Sequence, residues 1–424
     1  MESILLEDNK HWNDTKAYDG FIGRKVLGKA ISYLSTKQVI ALIGARRVGK
    51  STLAKLMIKE LLKTVDAKNI FFINLEKPEF IPYKKDASYL NEIFDSYLKF
   101  INPNIEQKIY FFIDEIQIFQ GWELFIKSKY ENSNIKFIIT GSNSSLLTSD
   151  FATTLTGRVL KLFVESFSFS EFLNYKNIPH SSKLERITNE IQISRAKDEY
   201  LKWGGYHDVI SVENESVKKD ILKNIAEDII LKDIVPRHNI INSSQIKDLF
   251  HYVVSNATTT LNYTTLSRKI EIDAKTIKEY IKYFEDNFLV STISSYHTKI
   301  TQQIKSAKKL YISDNGFLNL GVRRSLDNGA NLENIVFLAL KQTCKEVAYI
   351  KENYEIDFKC EDELIQVSYK MDSEKTKKRE LRVFANFDKE KRYKHKIITY
   401  DKSGSFENIQ IIKIEDFLLD LLEV

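Results

Sequence analysis

The sequence predicts an α/β domain with a parallel sheet at the start of the chain, followed by further domains. Short apolar runs alternate there with segments whose apolar residues recur at helical spacing, and 424 residues are too many for one core. The strand-like runs are residues 38–44, 69–75, 108–114 and 135–141. Continuous apolar strands are typical of a parallel sheet that helices cover on both faces.

The remaining chain changes its pattern in steps. Residues 166–242 are rich in helical segments, and residues 243–322 resemble a small helical module that ends in strand-like pieces. An apolar helix and two strand-like segments, YEIDFKC and ELIQVSYK, follow in residues 323–424. With only 14 Gly and 5 Pro in the chain, we expect the connections between these parts to be short and packed.

Composition limits the class of protein. Hydrophobic residues make up 43% and charged residues 29%, which fits a soluble globular protein and excludes collagen, coiled-coil rods and disordered tails. The net charge of +5 is too small to indicate nucleic-acid binding alone. No apolar run approaches the roughly 18 residues of a membrane span, and the polar N-terminus lacks a signal pattern. We therefore expect a cytoplasmic protein without a membrane partner.

The chain has two cysteines, Cys344 and Cys360. Two cysteines do not make a disulfide framework, and neither belongs to a metal-spaced pair. We interpret both as small core residues, which agrees with a reducing compartment. The seven histidines show no zinc spacing, so we expect no structural metal.

A phosphate-binding loop follows the first predicted strand. The segment GARRVGKS matches G-x-x-x-x-G-K-[ST] between a strand and a helix. Its glycines let backbone N–H groups curl around phosphate oxygens, and the helix N-terminus adds favourable charge. Lys50 is expected to reach the β- and γ-phosphates of ATP, and the Ser51 hydroxyl to coordinate Mg²⁺. The predicted nucleotide-binding residues are Gly44, Ala45, Arg46, Arg47, Val48, Gly49, Lys50, Ser51 and Thr52.

Asp114 and Glu115 end the third predicted strand. The carboxyl ends of parallel strands meet at the edge where α/β folds bind ligands, beside the phosphate loop. Asp114 is expected to hold Mg²⁺ through water, and Glu115 to polarise the attacking water, which favours hydrolysis over binding alone. Arg46 and Arg47 either contact phosphate or project outward to a partner.

Two further groups are candidates for stabilising the transition state. The fourth predicted strand ends in Gly141-Ser142-Asn143, where Asn143 or Ser142 would orient the lytic water. Arg158 would supply positive charge in cis or across a subunit boundary. An equally good interpretation is that Arg158 pairs with a carboxylate of its own domain.

These motifs resemble those of a known family. GARRVGKST, FFINLEKPEF, FFIDEIQIFQGWE, IITGSNSSLL, LTGRVLKLFVESFSFSEFL and YLKWGGYHDVI are similar to prokaryotic AAA-type ATPases with a C-terminal domain of unknown function, whose tail is similar to the PD-(D/E)XK nuclease fold. The resemblance implies an α/β P-loop NTPase core of the AAA+ type in residues 1–165, a helical lid in 166–242, a winged-helix module in 243–322 and a nuclease-like α/β domain in 323–424. Tyr206-His207 departs from the family, which usually has an aromatic residue followed by proline there.

The residues themselves also support the winged helix. Segment 261–293 has two short helical patterns joined by a turn, and the second carries Lys275, Lys278 and Lys282 at polar positions. Such a helix would enter a major groove of DNA. Three acidic residues share the element, however, and in AAA-type proteins this module often packs against its own ATPase domain. Both interpretations stay open.

The C-terminal strands carry part of a nuclease motif. Such a nuclease needs an Asp, a Glu or Gln about ten residues later and a Lys two positions on, with the carboxylates holding a metal. Asp357 and Gln366 fit, with Glu333 on the preceding helix, but Ser368 occupies the lysine position. Lys370 lies one pleat further along the strand, about 7 Å away. We favour a retained fold that serves as a binding or dimer surface over an active nuclease.

The leading hypothesis is an Mg²⁺-dependent ATPase whose nucleotide state repositions the C-terminal modules, with ATP and ADP as ligands. One alternative is an ATP-regulated DNA-processing enzyme with a weak metal-dependent nuclease domain. Another is a nucleotide-gated protein-binding module with negligible turnover. DNA, a protein partner and self-association are the candidate interactions.

Overall fold

The computed structural model describes residues 1–132, 134–142, 157–322, 328–372, 374–388 and 392–420. The chain divides into two compact units, Met1–Glu165 and Ser166–Val424. Within the described ranges, no helix combines the length and apolar character that crossing a membrane requires.

The first unit is a parallel sheet with helices. Its strands are β1 (Val39–Ile43), β2 (Ile70–Asn74), β3 (Ile109–Asp114), β4 (Ile135–Gly141) and β5 (Val159–Phe163). Its helices are α1 (Glu2–Asp8), α2 (Leu27–Ser32), α3 (Lys50–Leu61), α4 (Tyr89–Ile101) and α5 (Trp122–Asn132), with 3₁₀ turns at Lys10–Trp12, Tyr33–Ser35, Ala67–Asn69, Pro78–Tyr83 and Ile116–Ile118. The strands pair in parallel in the order β2-β3-β4-β1-β5. The predicted parallel α/β sheet is confirmed, and β5 is a strand that the sequence analysis did not select.

Burial explains why the strands read as continuous apolar runs. All five residues of β1 and all seven of β4 are buried. A strand covered on both faces has no solvent face and therefore no polar alternation. The register pairs Ile43 with Gly141 and Asn74 with Asp114, so the carboxyl ends of these strands lie along one edge of the sheet.

The N-terminal segment covers the edge strand β2. The side-chain amide of Asn9 donates to the carbonyl oxygen of Phe72 at 2.8 Å and accepts from its N–H at 2.7 Å, as a neighbouring strand would. His11 and Trp12 donate to the carbonyl oxygen of Ile70 at 3.0 and 2.9 Å. These side chains form hydrogen bonds with backbone groups of β2 that an open sheet edge would expose.

The second unit begins with helices. They are α6 (Phe169–Tyr175), α7 (Lys183–Thr188), α8 (Glu190–Trp203), α9 (His207–Ile210), α10 (Glu215–Asp228), α11 (Val235–Arg237), α12 (Ser243–Ser255), α13 (Tyr263–Ile270) and α14 (Ala274–Asp286), with a π-helical turn at Ile229–Ile234. The hairpin of β6 (Val290–Ser294) and β7 (Lys308–Ile312) follows, with α15 (Ile300–Lys305) between its strands. A 3₁₀ turn at Asn315–Leu320 comes after β7.

A buried carboxylate ties distant segments of this unit together. Asp314 accepts hydrogen bonds from the Ser166 hydroxyl at 2.6 Å and from the backbone N–H groups of Gly205 and Gly316 at 2.9 and 2.8 Å. A Cβ at Gly204 would lie 1.7 Å from the Asp314 carboxylate, and Gly204 has φ +71°. Gly204 is therefore required by this close approach, and Gly205 by a different one, because a Cβ there would lie 2.1 Å from the carbonyl oxygen of Phe167.

The C-terminal part of the second unit contains a mixed sheet. Its strands are β8 (Val347–Lys351), β9 (Glu355–Cys360), β10 (Glu363–Ser368), β11 (Lys394–Thr399), β12 (Gly404–Phe406) and β13 (Ile409–Lys413), and its helices are α16 (Asn328–Thr343), α17 (Glu374–Phe387) and α18 (Ile414–Asp420). The strand order is β12-β13-β11-β10-β9-β8. β8, β9 and β10 are antiparallel, and β11 pairs with β10 in parallel.

Cys344 and Cys360 form a disulfide bond, with their Cα atoms 5.9 Å apart. The prediction that they are unbonded core residues is therefore wrong. The bond joins the residue after α16 to the last residue of β9, two elements whose meeting depends on tertiary packing. The cysteines accordingly lend no support to the expected reducing compartment.

Candidate functional site

The predicted phosphate loop lies between β1 and α3. Gly49 has φ +93° and immediately precedes α3, which begins at Lys50. A Cβ at Gly44 would lie 2.0 Å from the carbonyl oxygen of Val164, just beyond β5. One glycine is therefore needed for a left-handed turn and the other for close backbone packing.

The Lys50 ammonium is buried within this loop. It donates to the carbonyl oxygens of Gly44 and Ala45 at 3.1 and 2.8 Å, and it lies 3.5 Å from Oε1 of Glu115. These three oxygens match the three N–H donors of an ammonium group. A phosphate group would offer the same ammonium more strongly charged acceptors.

Asp114 forms the centre of a hydroxyl–carboxylate network. The Ser51 and Thr140 hydroxyls donate to its two oxygens, each at 2.6 Å. Burial, and next the neighbouring charge of Glu115, raise the pKa of Asp114 to about 6. A hydroxyl and a carboxylate are oxygen ligands of the kind that Mg²⁺ prefers. Ser51 and Asp114 therefore fit the predicted magnesium site.

Glu115 is fixed at the end of β3 by several contacts. Its backbone has φ +56°, and its N–H donates to the Thr140 hydroxyl at 3.0 Å. The Gln117 amide donates to Oε2 of Glu115 and, at 3.2 Å, to the Ser142 hydroxyl. Burial opposes ionisation of Glu115, but the charge of Lys50 and the Gln117 hydrogen bond outweigh it and leave the pKa of Glu115 below its usual value. Glu115 is therefore a carboxylate near neutral pH, as a group that activates water must be.

Three residues of this site were missed by the sequence analysis: Thr140, Gln117 and Arg24. The guanidinium of Arg24 donates to the carbonyl oxygens of Val48 and Glu165 at 2.9 and 2.7 Å, which holds the phosphate loop from outside. Thr140 and Gln117 are polar residues close to a predicted strand end, a signal that was available in the sequence. Arg24 has no such signal, because it lies well before the loop in the sequence and shares no local pattern with it.

Arg158 pairs within its own unit. Its guanidinium lies 2.8 Å from the Glu131 carboxylate and contacts the Tyr130 ring. The structure thus provides the carboxylate partner that was one of the two interpretations of Arg158. A role across a subunit boundary stays a prediction.

The other predicted site residues of the first unit lie in different surroundings. Arg46 pairs with Glu76 at 2.7 Å, and the exposed Arg47 has φ +61°. Ser142 is buried at the end of β4. Asn143 lies outside the described residues, so its assigned role stays a prediction.

In the second unit, predicted nuclease-site residues meet around a lysine that was not selected. The Lys309 ammonium of β7 lies 2.8 Å from Glu333, 2.8 Å from Glu355 and 3.4 Å from Asp357. Its side chain is only 3% exposed. In the described part of the chain, no group of three or more His, Cys, Asp or Glu residues is arranged to hold a metal ion.

Gln366 also lies at this cluster. Its side-chain oxygen accepts from the N–H of Asp357 at 3.3 Å, and the Asp357 carboxylate accepts from the N–H of Val367 at 2.9 Å. β10 ends at Ser368, so Lys370 lies beyond the strand. Across the described ranges, no hydrogen bond or ion pair joins the Lys370 ammonium to Asp357.

Burial and charge act against each other in the cluster. Burial, and next the charge of Asp357, raise the pKa of Glu333, whereas the charge of Lys309 and the hydrogen bonds from Lys309 and Tyr311 favour its carboxylate form. Burial by itself would lower the pKa of Lys309, but the surrounding carboxylates raise it well above its usual value. The arrangement therefore keeps Lys309 charged.

Comparisons with known proteins identify the domains to which parts of this chain are similar. A family model described as "AAA domain" matches residues 36–173, and one described as "Domain of unknown function (DUF8612)" matches residues 194–326. The chain is 31% identical over 404 residues to uncharacterized protein MJ1544 of Methanocaldococcus jannaschii, covering 91% of this chain and 88% of that protein. It is 30% identical over 410 residues to an uncharacterized protein of Haemophilus influenzae, covering 93% and 97% of the two chains.

Two solved structures are more distantly similar. The Walker-type ATPase PABY2304 of Pyrococcus abyssi has a TM-score of 0.39 and 14% identity, over 71% of this chain and 96% of that chain. AMPPCP-bound DnaA from Aquifex aeolicus has a TM-score of 0.29 and 15% identity, over 65% and 92%. On the family model and the two full-length relatives, the chain belongs to the AAA-type P-loop ATPases, in the same family as the M. jannaschii and H. influenzae proteins.

Proposed function

We propose that the protein binds Mg²⁺-ATP at residues 44–52 and hydrolyses it. The observation that carries this proposal is the meeting of four residues: Lys50 is ion-paired with Glu115, Ser51 is hydrogen-bonded to Asp114, and the Thr140 hydroxyl joins the two carboxylate residues. Lys50 would leave its loop carbonyls for the β- and γ-phosphates, and Ser51 and Asp114 would hold Mg²⁺. The bound ion would neutralise phosphate charge as it develops in the transition state.

Glu115 is the proposed water-activating group. It is ionised, its backbone is held by Thr140, and its carboxylate is held by Gln117. When Lys50 turns to phosphate, Glu115 loses its contact with that ammonium and becomes free to accept a hydrogen bond from water. Ser142, which follows β4, and Asn143, the next residue in the sequence, remain the candidates for orienting that water.

Phosphate release and ATP binding test the proposal together. Glu115→Gln is expected to lower turnover by about 100-fold or more while ATP binding is retained. Lys50→Ala is expected to weaken ATP binding itself. Glu106→Gln, at an exposed position of the same unit, is the matched control and should leave both quantities unchanged.

The outcomes separate the hypotheses. An unchanged rate in Glu115→Gln would show that another group activates the water. ATP binding by the unmodified protein with negligible phosphate release would instead favour the nucleotide-gated binding module. Repositioning of the C-terminal modules by nucleotide would appear as a change in hydrogen exchange within residues 166–424 when ATP replaces ADP.

DNA binding by α14 is a second candidate function. Lys275 and Lys278 are exposed on this helix, although Glu279 shares their face and Lys282 is paired with Asp286 at 2.8 Å. Contacts of lysines with phosphates make affinity fall with salt. The full-length protein should retard duplex DNA in a salt-dependent way, and the Lys275→Ala/Lys278→Ala variant should do so less. No retardation at low salt would reject this function.

Self-association is the remaining proposal for a partner. If Arg158 acts across a subunit boundary, phosphate release per chain should rise with protein concentration and fall in Arg158→Ala. The ion pair with Glu131 gives the matched control, because Glu131→Gln removes the pair but keeps the guanidinium. Equal loss in both variants would assign Arg158 a structural role.

A further inference from the structure

The cation at the centre of the C-terminal carboxylate cluster belongs to the chain itself. Lys309 lies within hydrogen-bonding distance of Glu333 and Glu355, both at 2.8 Å, and is ion-paired with Asp357 at 3.4 Å. An ammonium has three N–H donors, and three carboxylates are present to accept them. The Tyr311 hydroxyl donates to Glu333 at 2.8 Å and completes the contacts of that carboxylate.

The backbone holds this lysine in place. Lys309 is paired with Ile293 in the β6–β7 hairpin and forms an isolated bridge with Thr260 on its other side. The hairpin is also joined to β8, because the N–H of Tyr296 donates to the carbonyl oxygen of Tyr349 at 2.7 Å. Lys309 therefore enters the cluster from a paired strand, whereas most lysines extend from a surface into solvent.

A divalent metal does not fit this arrangement. Mg²⁺ requires oxygen ligands at about 2.0–2.1 Å around one point, and here the ammonium occupies the space that the carboxylates face. The Asp357 carboxylate has its second oxygen engaged by the N–H of Val367 at 2.9 Å. The side-chain oxygen of Gln366 is likewise engaged by the N–H of Asp357 at 3.3 Å.

We propose that the Lys309 ammonium takes the place of the divalent metal that the carboxylates of a nuclease-like C-terminal domain would hold. The domain then needs no metal for its integrity, and its carboxylates fasten the β6–β7 hairpin to β9 and α16. A further consequence is that the ion pairs of Lys309 hold this hairpin to other elements of the same chain. The proposal is independent of ATP hydrolysis, since every residue involved lies in the second unit.

Binding of Mn²⁺ to the full-length protein without nucleotide tests this inference. Free Mn²⁺ is measured by electron paramagnetic resonance for the unmodified protein and for Asp357→Asn. Both should bind the same amount, because the carboxylates are already engaged. Lys309→Met should gain one Mn²⁺ relative to the unmodified protein, and the double variant Lys309→Met/Asp357→Asn should lose it again. Lys308→Met, on the neighbouring residue of β7, is the matched control and should gain none.

Each outcome decides the question. Mn²⁺ binding by the unmodified protein that disappears in Asp357→Asn would overturn the proposal. Failure of a folded Lys309→Met variant to bind the additional Mn²⁺ would also overturn it, because the ammonium would then not be occupying a metal position. If Lys309→Met does not fold, thermal melting decides: a Mn²⁺-induced rise in Tm present in the unmodified protein and absent in Asp357→Asn refutes the proposal, and equal behaviour supports it.

Discussion

Gln117 offers a sharp test of how the proposed catalytic carboxylate is held. Its amide donates to both Glu115 and Ser142, while its side-chain oxygen is buried without a hydrogen-bond donor among the described residues. Gln117→Leu keeps a similar volume but removes the donor. A buried hydrogen bond to a charged group contributes about 1.5–3 kcal/mol, which corresponds to a fall in kcat of about 10–100-fold if the bond is needed in the transition state.

The pH dependence gives a second readout with a definite sign. The Gln117 hydrogen bond helps to lower the pKa of Glu115. Its loss should raise that pKa, so the acid limb of the pH profile for kcat should move to higher pH. KM for ATP should stay nearly unchanged, because the polar contacts of Gln117 are with Glu115 and Ser142 and not with the phosphate loop.

The assay is steady-state phosphate release across pH, with Tm measured for each variant. Gln120→Leu is the matched control, since Gln120 is an exposed glutamine close by in the sequence, beyond the turn Ile116–Ile118. An unchanged kcat together with an unmoved acid limb in Gln117→Leu would refute the positioning role. A fall in kcat accompanied by an equally large rise in KM would indicate general damage to the loop.

Three further predictions concern stability. Gly204→Ala should cost about 3 kcal/mol in urea unfolding, because its Cβ would lie 1.7 Å from the Asp314 carboxylate at a φ of +71°. Burial lowers the pKa of His11 from 6.5 to about 4. The contribution of the neutral imidazole to the free energy of unfolding is therefore fully present above pH 6.5, and about 3 kcal/mol should be lost as pH falls through 4. His11→Gln should flatten this dependence on pH. Reduction of the Cys344–Cys360 bond, whose partners are 16 residues apart, should lower the free energy of unfolding by about 3 kcal/mol.

Controls make these three measurements specific. Gly28→Ala places a Cβ in open space within α2 and should leave stability unchanged or slightly raised. The Cys344→Ser variant should melt at the same temperature with and without reductant. Identical acid profiles of the unmodified protein and His11→Gln would contradict the role assigned to burial of that imidazole.

Much of the candidate nucleotide site could be predicted from the sequence because its determinants are local. Strand, glycine loop and helix follow one another within residues 38–61, and the spacing of Gly44, Gly49 and Lys50 is dictated by loop geometry. The Asp-Glu pair was found in the same way, at the end of an apolar run. A strand that is buried on both sheet faces has no polar positions. This continuous apolar pattern allowed four of the five strands to be predicted.

Residues that act across long sequence distances could not be predicted. Arg24 contacts the loop from 24 residues before Val48, and Lys309 reaches Asp357 from 48 residues away. The interpretation of the two cysteines as unbonded core residues failed for the same reason, since the meeting of α16 and β9 decides whether the disulfide forms. An ion pair or a covalent bond depends on the distance between two groups in space. Within one turn or strand, the spacing of two residues along the chain determines that distance. Between elements far apart in the sequence, only the packing of the elements determines it.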